Sequence, residues 1–397
     1  MLILEYSFGN FQSFLAETRV RFEMPSTSHK SEWTIDDRDR ARVSKLLAVV
    51  GHNASGKTTL LKALSFVAWF MTESFSQLAV GSDIPVAAHL TSDGQPSTFR
   101  MIFEHEDRVW RYELDCSPER VMHESLHVKR ERFGYVFVRD YDSKSGSYIV
   151  KKQNVDLSLA EIQRVRPNAS VLSTAAQFES KFASSIVDAF RTQFVTNVNL
   201  AGLIPHFMLF QGALQSYDSN PSDHALMNDL LARWDFGLQS IDVRDAELPQ
   251  DGGLQQRIAL LEGHHKIGNR DYPLPFVFES SGTHSAYVML ARILPVLRTG
   301  GVAVIDEFES NLHPSMLEAI LDLFGSPVSN PHQGQLIFAT HSSNVLNLLQ
   351  KSQILLVEKN EDSESEAFRL DEVEGVRADE NFSAKYLAGA YGAVPRM

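Results

Sequence analysis

Cysteine is almost missing from this chain: Cys116 stands alone among 397 residues. One thiol cannot build a disulfide framework or a thiolate-cluster zinc site. Basic residues are in deficit, 37 Lys and Arg against 50 Asp and Glu, for a formal net charge of −13. That sign disfavours a whole-surface nucleic-acid or membrane binder, although a local basic stripe is compatible with it. Long apolar runs are lacking too. No stretch reaches about 18 uninterrupted apolar residues, so no spanning helix is expected. The opening residues MLILEYSFGNFQSF have neither the basic flank nor the long apolar core of a secretory signal, and a cytoplasmic location is the expectation. There is no repeat at a fixed period and no sustained heptad. What is present is an ordinary globular balance, 43% hydrophobic and 22% charged.

Texture divides the chain into three segments. Residues 1–152 read as a first lobe: short strands, then the continuous apolar run Lys45–Val50, of the kind buried on both faces in a parallel sheet. A turn at Gly51 and a helix from Thr58 to about Met71 follow. Within this lobe Thr98–Glu104, Arg108–Leu114, Tyr135–Val138 and Tyr148–Val150 approximate period-2 alternation, predicting an antiparallel β subdomain over 96–152. Residues 153–265 place apolar side chains three and four apart in Ser158–Arg164, Ala175–Phe194 and Ala225–Phe236, predicting a helical insertion. The Ser-, Asp-, Asn- and Pro-rich stretch Gln211–Asp223 reads as a loop inside it. Strand–helix alternation resumes over 266–397, with strands near 302–305, 336–340 and 354–357. The acidic run Glu361–Glu366 reads as a solvated turn. The expected fold class is α/β with a mixed sheet.

Gly51-His52-Asn53-Ala54-Ser55-Gly56-Lys57-Thr58 fits the pattern G-x-x-x-x-G-K-[ST] at every position, between a strand and a helix. A loop whose amide N–H groups converge on phosphate needs backbone conformations that glycine adopts cheaply. The helix beginning near Lys57 adds unpaired N–H donors and the positive end of its dipole. Gly51, Asn53, Ser55, Gly56, Lys57, Thr58 and Thr59 are therefore candidate nucleotide contacts, with Lys57 directed at the β- and γ-phosphates and Thr58 at Mg2+. Downstream, the apolar strand Val302–Ile305 ends in Asp306-Glu307, the form of a Walker B segment. Asp306 is the second candidate metal ligand, and Glu307 is placed to orient and deprotonate an attacking water. The wide separation of Lys57 from Asp306 puts a large insertion between two halves of one nucleotide site.

In this order and spacing the motifs resemble those of the ABC-type ATPases, the group containing transporter ATPases, SMC proteins and repair ATPases. Glu279–Ser285, opening a helix over Ala286–Leu297, resembles the signature loop, which in that family caps the γ-phosphate of a nucleotide held by a second subunit. The resemblance thus implies nucleotide contacts at Ser281, Gly282 and Thr283. Glu309–Pro314 occupies the D-loop place, and Ile337–Ser342 resembles the H-loop, which implies that His341 touches γ-phosphate beside the catalytic Lys57 and Glu307. Asn10-Phe11-Gln12-Ser13-Phe14 resembles the short N-terminal motif of SMC-like ATPases that packs beside the nucleotide. The signature has Ser-Ser-Gly-Thr instead of the usual LSGGQ form. With DExxxxLHP after it, this is similar to the prokaryotic AAA-type ATPases related to the ATPase half of overcoming-lysogenization-defect proteins. The closing Tyr386–Pro395 resembles the end of stand-alone members, among them ATPase components of abortive-infection and retron-linked anti-phage systems. The resemblance spans roughly residues 1–150 and 265–397. It leaves the Q-loop unplaced between Gln77 and Gln95. Ile354–Glu358 is similar to the first strand and acid of a Toprim nuclease, but Lys359 replaces the usual glycine, so a last strand of the ATPase sheet is expected.

By resemblance, the expected cofactors are ATP and Mg2+ and the expected activity is ATP hydrolysis. The implied assembly is a head-to-tail homodimer or higher homo-oligomer that clasps nucleotide between Gly51–Thr58 of one chain and Ser280–Thr283 of another. Its output would be control of a separate effector, a toxin or Toprim-type nuclease, in phage defence, with no membrane partner. The alternative is an SMC-like DNA-binding or repair ATPase, for which Lys129–Arg132 and Arg164–Arg166 offer modest basic clusters. A transporter ATPase is disfavoured by the variant signature and the N-terminal motif.

Overall fold

The computed structural model describes residues 1–36, 41–92, 94–153, 155–234, 237–249 and 255–394. The chain opens with β1 (Leu2–Gly9) and β2 (Thr18–Arg21), then β3 (Leu46–Val50), which feeds helix α1 (Lys57–Gln77). Five strands follow: β4 (Ser97–His105), β5 (Arg108–Cys116), β6 (Val121–Lys129), β7 (Phe133–Asp142) and β8 (Ser147–Lys152). Helices α2 (Leu159–Arg164), α3 (Val171–Gln177) and α4 (Lys181–Gln193) lead to the short β9 (Phe194–Thr196). Then come α5 (His206–Ser219), α6 (Pro221–Arg233), β10 (Ser240–Pro249), β11 (Gln255–Ile267), β12 (Arg270–Pro275) and α7 (Ser281–Thr299). The chain continues through β13 (Val302–Ile305), α8 (Pro314–Gly325), β14 (Gln335–Ala339), β15 (Ile354–Lys359), β16 (Ser365–Arg369) and α9 (Phe382–Leu387).

Two compact units result. The larger comprises residues 1–204, 296–308 and 318–397; the smaller comprises 205–295 and 309–317. Among the described residues the larger holds two extended sheets, besides two two-stranded ones. One is seven-stranded and antiparallel, in the order β8-β7-β6-β5-β4-β1-β2. The other is six-stranded and mixed, in the order β9-β13-β14-β3-β15-β16, parallel throughout except for β16. β3 is buried at all five positions, as its unbroken Leu-Leu-Ala-Val-Val requires. α1 is apolar on most sides, with Leu60, Leu64, Phe66, Val67, Phe70 and Met71 buried in one core with both sheets. Gln335 links the sheets: its amide accepts from Ile3 N–H at 2.7 Å and donates to the Ile3 and Ser44 carbonyls.

Several expectations fail in the middle of the chain. Gln211–Asp223 is not a loop but lies in α5 and α6, with Pro221 at the start of α6, where its missing N–H costs nothing. Leu209, Ala213 and Tyr217 are buried at spacings of four, a helical stripe hidden beneath polar composition. The segment read as helical to 265 instead enters the three-stranded antiparallel sheet β10-β11-β12, which lies in the smaller unit. Strand β6 also lacks a sequence signal, because its register shifts twice and it buries a charge. Glu124 on β6 and Arg139 on β7 are both fully buried, 3.6 Å apart. The guanidinium donates to the Ala169, Val165 and Arg166 carbonyls, while the carboxylate accepts from Tyr112 and Ser170. Of the remaining readings, Phe236 and Pro395 lie outside the described residues.

Candidate nucleotide site

The phosphate loop joins β3 to α1. A Cβ on Gly51 would lie 2.1 Å from the Val357 carbonyl oxygen of neighbouring β15. Gly56 has φ +117 and would place a Cβ 2.6 Å from Ser365 Oγ on β16. Both glycines are therefore dictated by the closeness of the last hairpin. Ser365 donates to the Ser55 carbonyl at 2.6 Å, lies 2.8 Å from Ser13 Oγ, and its N–H donates to the Ser13 carbonyl. Gln12 accepts from Thr59 Oγ1 at 3.2 Å. The N-terminal motif thus buttresses the loop, its Phe11 and Phe14 rings packed on Phe8, Phe66 and Phe99. Lys57 Nζ donates to the Gly51 and His52 carbonyls, while Asn53 stands exposed at the loop's tip. Among the described residues Ser55 Oγ is buried with no hydrogen-bond partner, and α1 begins with no side-chain cap and no acid in its first turn. A buried orphan hydroxyl and uncapped N–H groups around a lysine are what a polyphosphate would satisfy.

The second half of the site stands on the same sheet edge. β14 lies between β3 and β13, all parallel, so Lys57, His341 and Asp306 follow the C-terminal ends of three successive strands. Thr340 N–H donates to the Val49 carbonyl at 3.1 Å, fixing the His341 turn against the strand that carries the phosphate loop. Thr58 Oγ1 donates to Asp306 Oδ2 at 2.6 Å. Burial raises the pKa of Asp306 above the ordinary carboxylate value, and the Thr58 bond offsets this in part. Glu307 is exposed, with φ +51, a left-handed conformation that costs a non-glycine residue about 1–2 kcal/mol. The turn is held by Glu307 N–H on Asp306 Oδ1, by Phe308 N–H on the Ala339 carbonyl, and by the buried Phe308 ring against Phe338 at 4.6 Å. Asn197, which sequence reasoning missed, hydrogen-bonds both sides of the Asp306 backbone. No motif marks it, nor Ser365, which lies within the acidic run Glu361–Glu366.

A hydroxyl and a carboxylate are hard oxygen donors, suited to Mg2+ completed by phosphate oxygens and water. Among the described residues no group of three His, Cys, Asp or Glu side chains could hold a metal ion unaided, so Thr58 and Asp306 would share it with the nucleotide. Gln77 does not belong here: it ends α1, roughly 30 Å along the helix from Lys57, and accepts from Trp69 Nε1. Gln95 gives its backbone carbonyl to Asn10 Nδ2. The Toprim-like Glu358 lies on β15 within the sheet and accepts from Ala393 N–H at 2.7 Å, pinning the closing segment. Of the basic clusters, Arg130, Glu131 and Arg132 form an exposed turn, whereas Arg166 donates to the Ser74 and Phe75 carbonyls at the end of α1.

In the smaller unit the signature-like loop opens α7. Ser280 Oγ accepts from Thr283 N–H at 3.0 Å and lies 2.9 Å from Thr283 Oγ1. Thr283 is 2% exposed, while Ser281 is exposed and Gly282 half-buried. Glu279 hydrogen-bonds His265 Nε2 at 2.7 Å and sits over Gly263. From the D-loop, Asn311 Nδ2 donates to Ser285 Oγ at 3.3 Å.

Among the described residues no helix is long and apolar enough to cross a membrane. No curated protein matches this chain. Among solved structures it is similar to an Smc head bound to the C-winged-helix domain of ScpA, at 12% identity and a TM-score of 0.45, over 93% of this chain and 97% of that one. It is also similar to an Smc head domain with an extended coiled coil bound to the C-terminal domain of ScpA from Pyrococcus furiosus, at 12% identity and a TM-score of 0.40, over 93% and 96%. A family model described as an AAA domain, and tied in that description to the AbiEii toxin of a type IV toxin–antitoxin system, matches residues 46–347, and the chain belongs to that family.

Proposed function

We propose that this chain is an ABC-type ATPase in which ATP, held by Gly51–Thr59 of one copy, is capped by Ser281, Gly282 and Thr283 of a second. The observation that carries the reading is the 2.6 Å bond from Thr58 to Asp306, at the sheet edge from which Lys57, Glu307 and His341 also emerge. Thr58 and Asp306 would hold Mg2+, which when bound supplies charge neutralisation across the β- and γ-phosphates. Glu307 takes a proton from water as the water oxygen bonds to the γ-phosphorus. The β,γ-bridging P–O bond breaks, and its electron pair leaves on ADP. Lys57 stabilises that departing charge, and His341 contacts the transferred phosphoryl group. Because both copies touch the γ-phosphate, hydrolysis removes a contact that only the closed dimer makes, which is a population switch. We further infer that the switch governs a separate effector, a toxin or nuclease, in phage defence. The family's link to a toxin–antitoxin system supports this. Light scattering of Glu307→Gln tests the core of the reading: its mass doubles with MgATP and not with MgADP. A monomer in both nucleotides would overturn it.

A further inference from the structure

We propose that Asn197 is the positioning residue for the metal-ligating turn, and that through it the chain sets how tightly the site holds Mg2+; this rests on the ATPase reading above. β13 ends at Ile305, where its register with β14 stops, and its outer neighbour β9 ends at Thr196, paired with Val304. The Asp306 backbone therefore leaves the strand ladder while still buried, and its N–H and carbonyl need other partners.

One side chain supplies both. Asp306 N–H donates to Asn197 Oδ1 at 2.7 Å, and Asn197 Nδ2 donates to the Asp306 carbonyl at 2.8 Å. The amide acts as a substitute strand, offering one acceptor and one donor at the position where β9 has run out. Its own N–H donates to the Val304 carbonyl at 3.2 Å, and the residue is 8% exposed. Among side chains of this length, only an amide carries both roles at once: aspartate lacks the donor and leucine lacks both.

The clasp also connects with the other metal ligand. Thr196 Oγ1, one residue earlier, accepts from Val198 N–H at 2.9 Å and lies 3.1 Å from Ser65 Oγ on α1. α1 is the helix whose first turn holds Thr58. Asn197 thus fixes the Asp306 peptide just before the left-handed Glu307, and with it the direction in which the carboxylate meets Thr58. Groups one step removed from a metal typically move its affinity or the activity by about 10–100-fold.

The test is a Mg2+ titration of the full chain with a fluorescent ATP analogue, alongside steady-state phosphate release. Asn197→Ala is compared with Asn168→Ala, a second buried asparagine that donates to the Ala79 and Ser82 carbonyls beyond the other end of α1. Asn197→Ala should raise the Mg2+ concentration for half-maximal binding about tenfold or more and lower kcat with little change in KM. Asn168→Ala should lower the melting temperature and leave the Mg2+ dependence unmoved. Should Asn197→Ala fail to fold, the isosteric Asn197→Asp carries the same comparison. If wild-type protein binds nucleotide and the Asn197 variant shows unaltered Mg2+ dependence, this inference alone is overturned. If wild-type protein binds no nucleotide, the ATPase reading falls and takes the inference with it.

Discussion

The two helix N-termini proposed here to meet ATP are built differently. At α1 the residue before the helix is Gly56, with no side chain to cap the first N–H groups, and the loop is braced by Ser365, Ser13 and Gln12. At α7 the preceding Ser280 caps Thr283 N–H with its own hydroxyl, and the turn leading into it leaves Val277 and Phe278 more than 70% exposed. The first terminus lacks a side-chain cap and has a lysine beside it. The second is already partly satisfied, and no lysine or arginine stands in Glu279–Ser285. On the proposed reading, one loop would hold a polyphosphate from its own chain's resources, while the other would add to a phosphate already held. That asymmetry fits the clasp proposed between copies.

The sharpest way to probe the phosphate-loop half is to disarm its proposed base and leave its donors intact. Glu307→Gln should slow hydrolysis by about 10²–10⁴-fold while nucleotide binding is retained, measured by phosphate release and equilibrium binding on the same preparation. Equal turnover would remove Glu307 from that role. The dependent half is tested by complementation. Lys57→Ala should bind no ATP, and Gly282→Asp should bind ATP without dimerising, because a carboxylate at the α7 terminus repels γ-phosphate. Mixed together, the two inactive proteins should recover part of the wild-type rate, since each mixed dimer holds one intact pair of loops. A mixture as inactive as its components would place both loops of a working site in one chain and break the comparison.

How visible these halves were beforehand follows from locality. The phosphate loop, Asp306-Glu307 and the strand leading to His341 are short patterns whose chemistry is written in adjacent residues, and the structure sets all three on one sheet edge. The seven-stranded sheet was partly legible from period-2 alternation, but β6 escaped because Glu124 and Ser125 point into buried surroundings and its register shifts. α5 and α6 escaped because polar composition outweighed the spacing of Leu209, Ala213 and Tyr217, which was there to be read. Asn197 and Ser365 were invisible in principle. Their roles come from partners far along the chain, Asp306 in one case and Ser55 and Ser13 in the other.

A smaller effect tests whether the α1 loop owes its form to the last hairpin. Gly51→Ala puts a methyl group into the Val357 carbonyl, and overpacking of that kind should cost about 1–3 kcal/mol in chemical denaturation. Nucleotide affinity should fall with it, because the loop must retreat from β15. A variant as stable as wild type would mean that the hairpin yields easily and does not shape the loop.

The smallest effect is the most discriminating, because its sign should invert with ligand. Among the described residues Ser55 Oγ is buried without a partner, so the free protein bears the desolvation of a hydroxyl with no hydrogen bond to offset it. Ser55→Ala should leave the melting temperature of the nucleotide-free protein unchanged or slightly higher. With MgADP present the same variant should melt lower than wild type, having lost a hydrogen bond to a charged group worth about 1.5–3 kcal/mol. The gap between the two melting curves should therefore narrow from both ends. If Ser55→Ala instead lowers the nucleotide-free melting temperature, that hydroxyl serves the loop itself, and the contrast between a terminus waiting for its ligand and one already capped loses its best single residue.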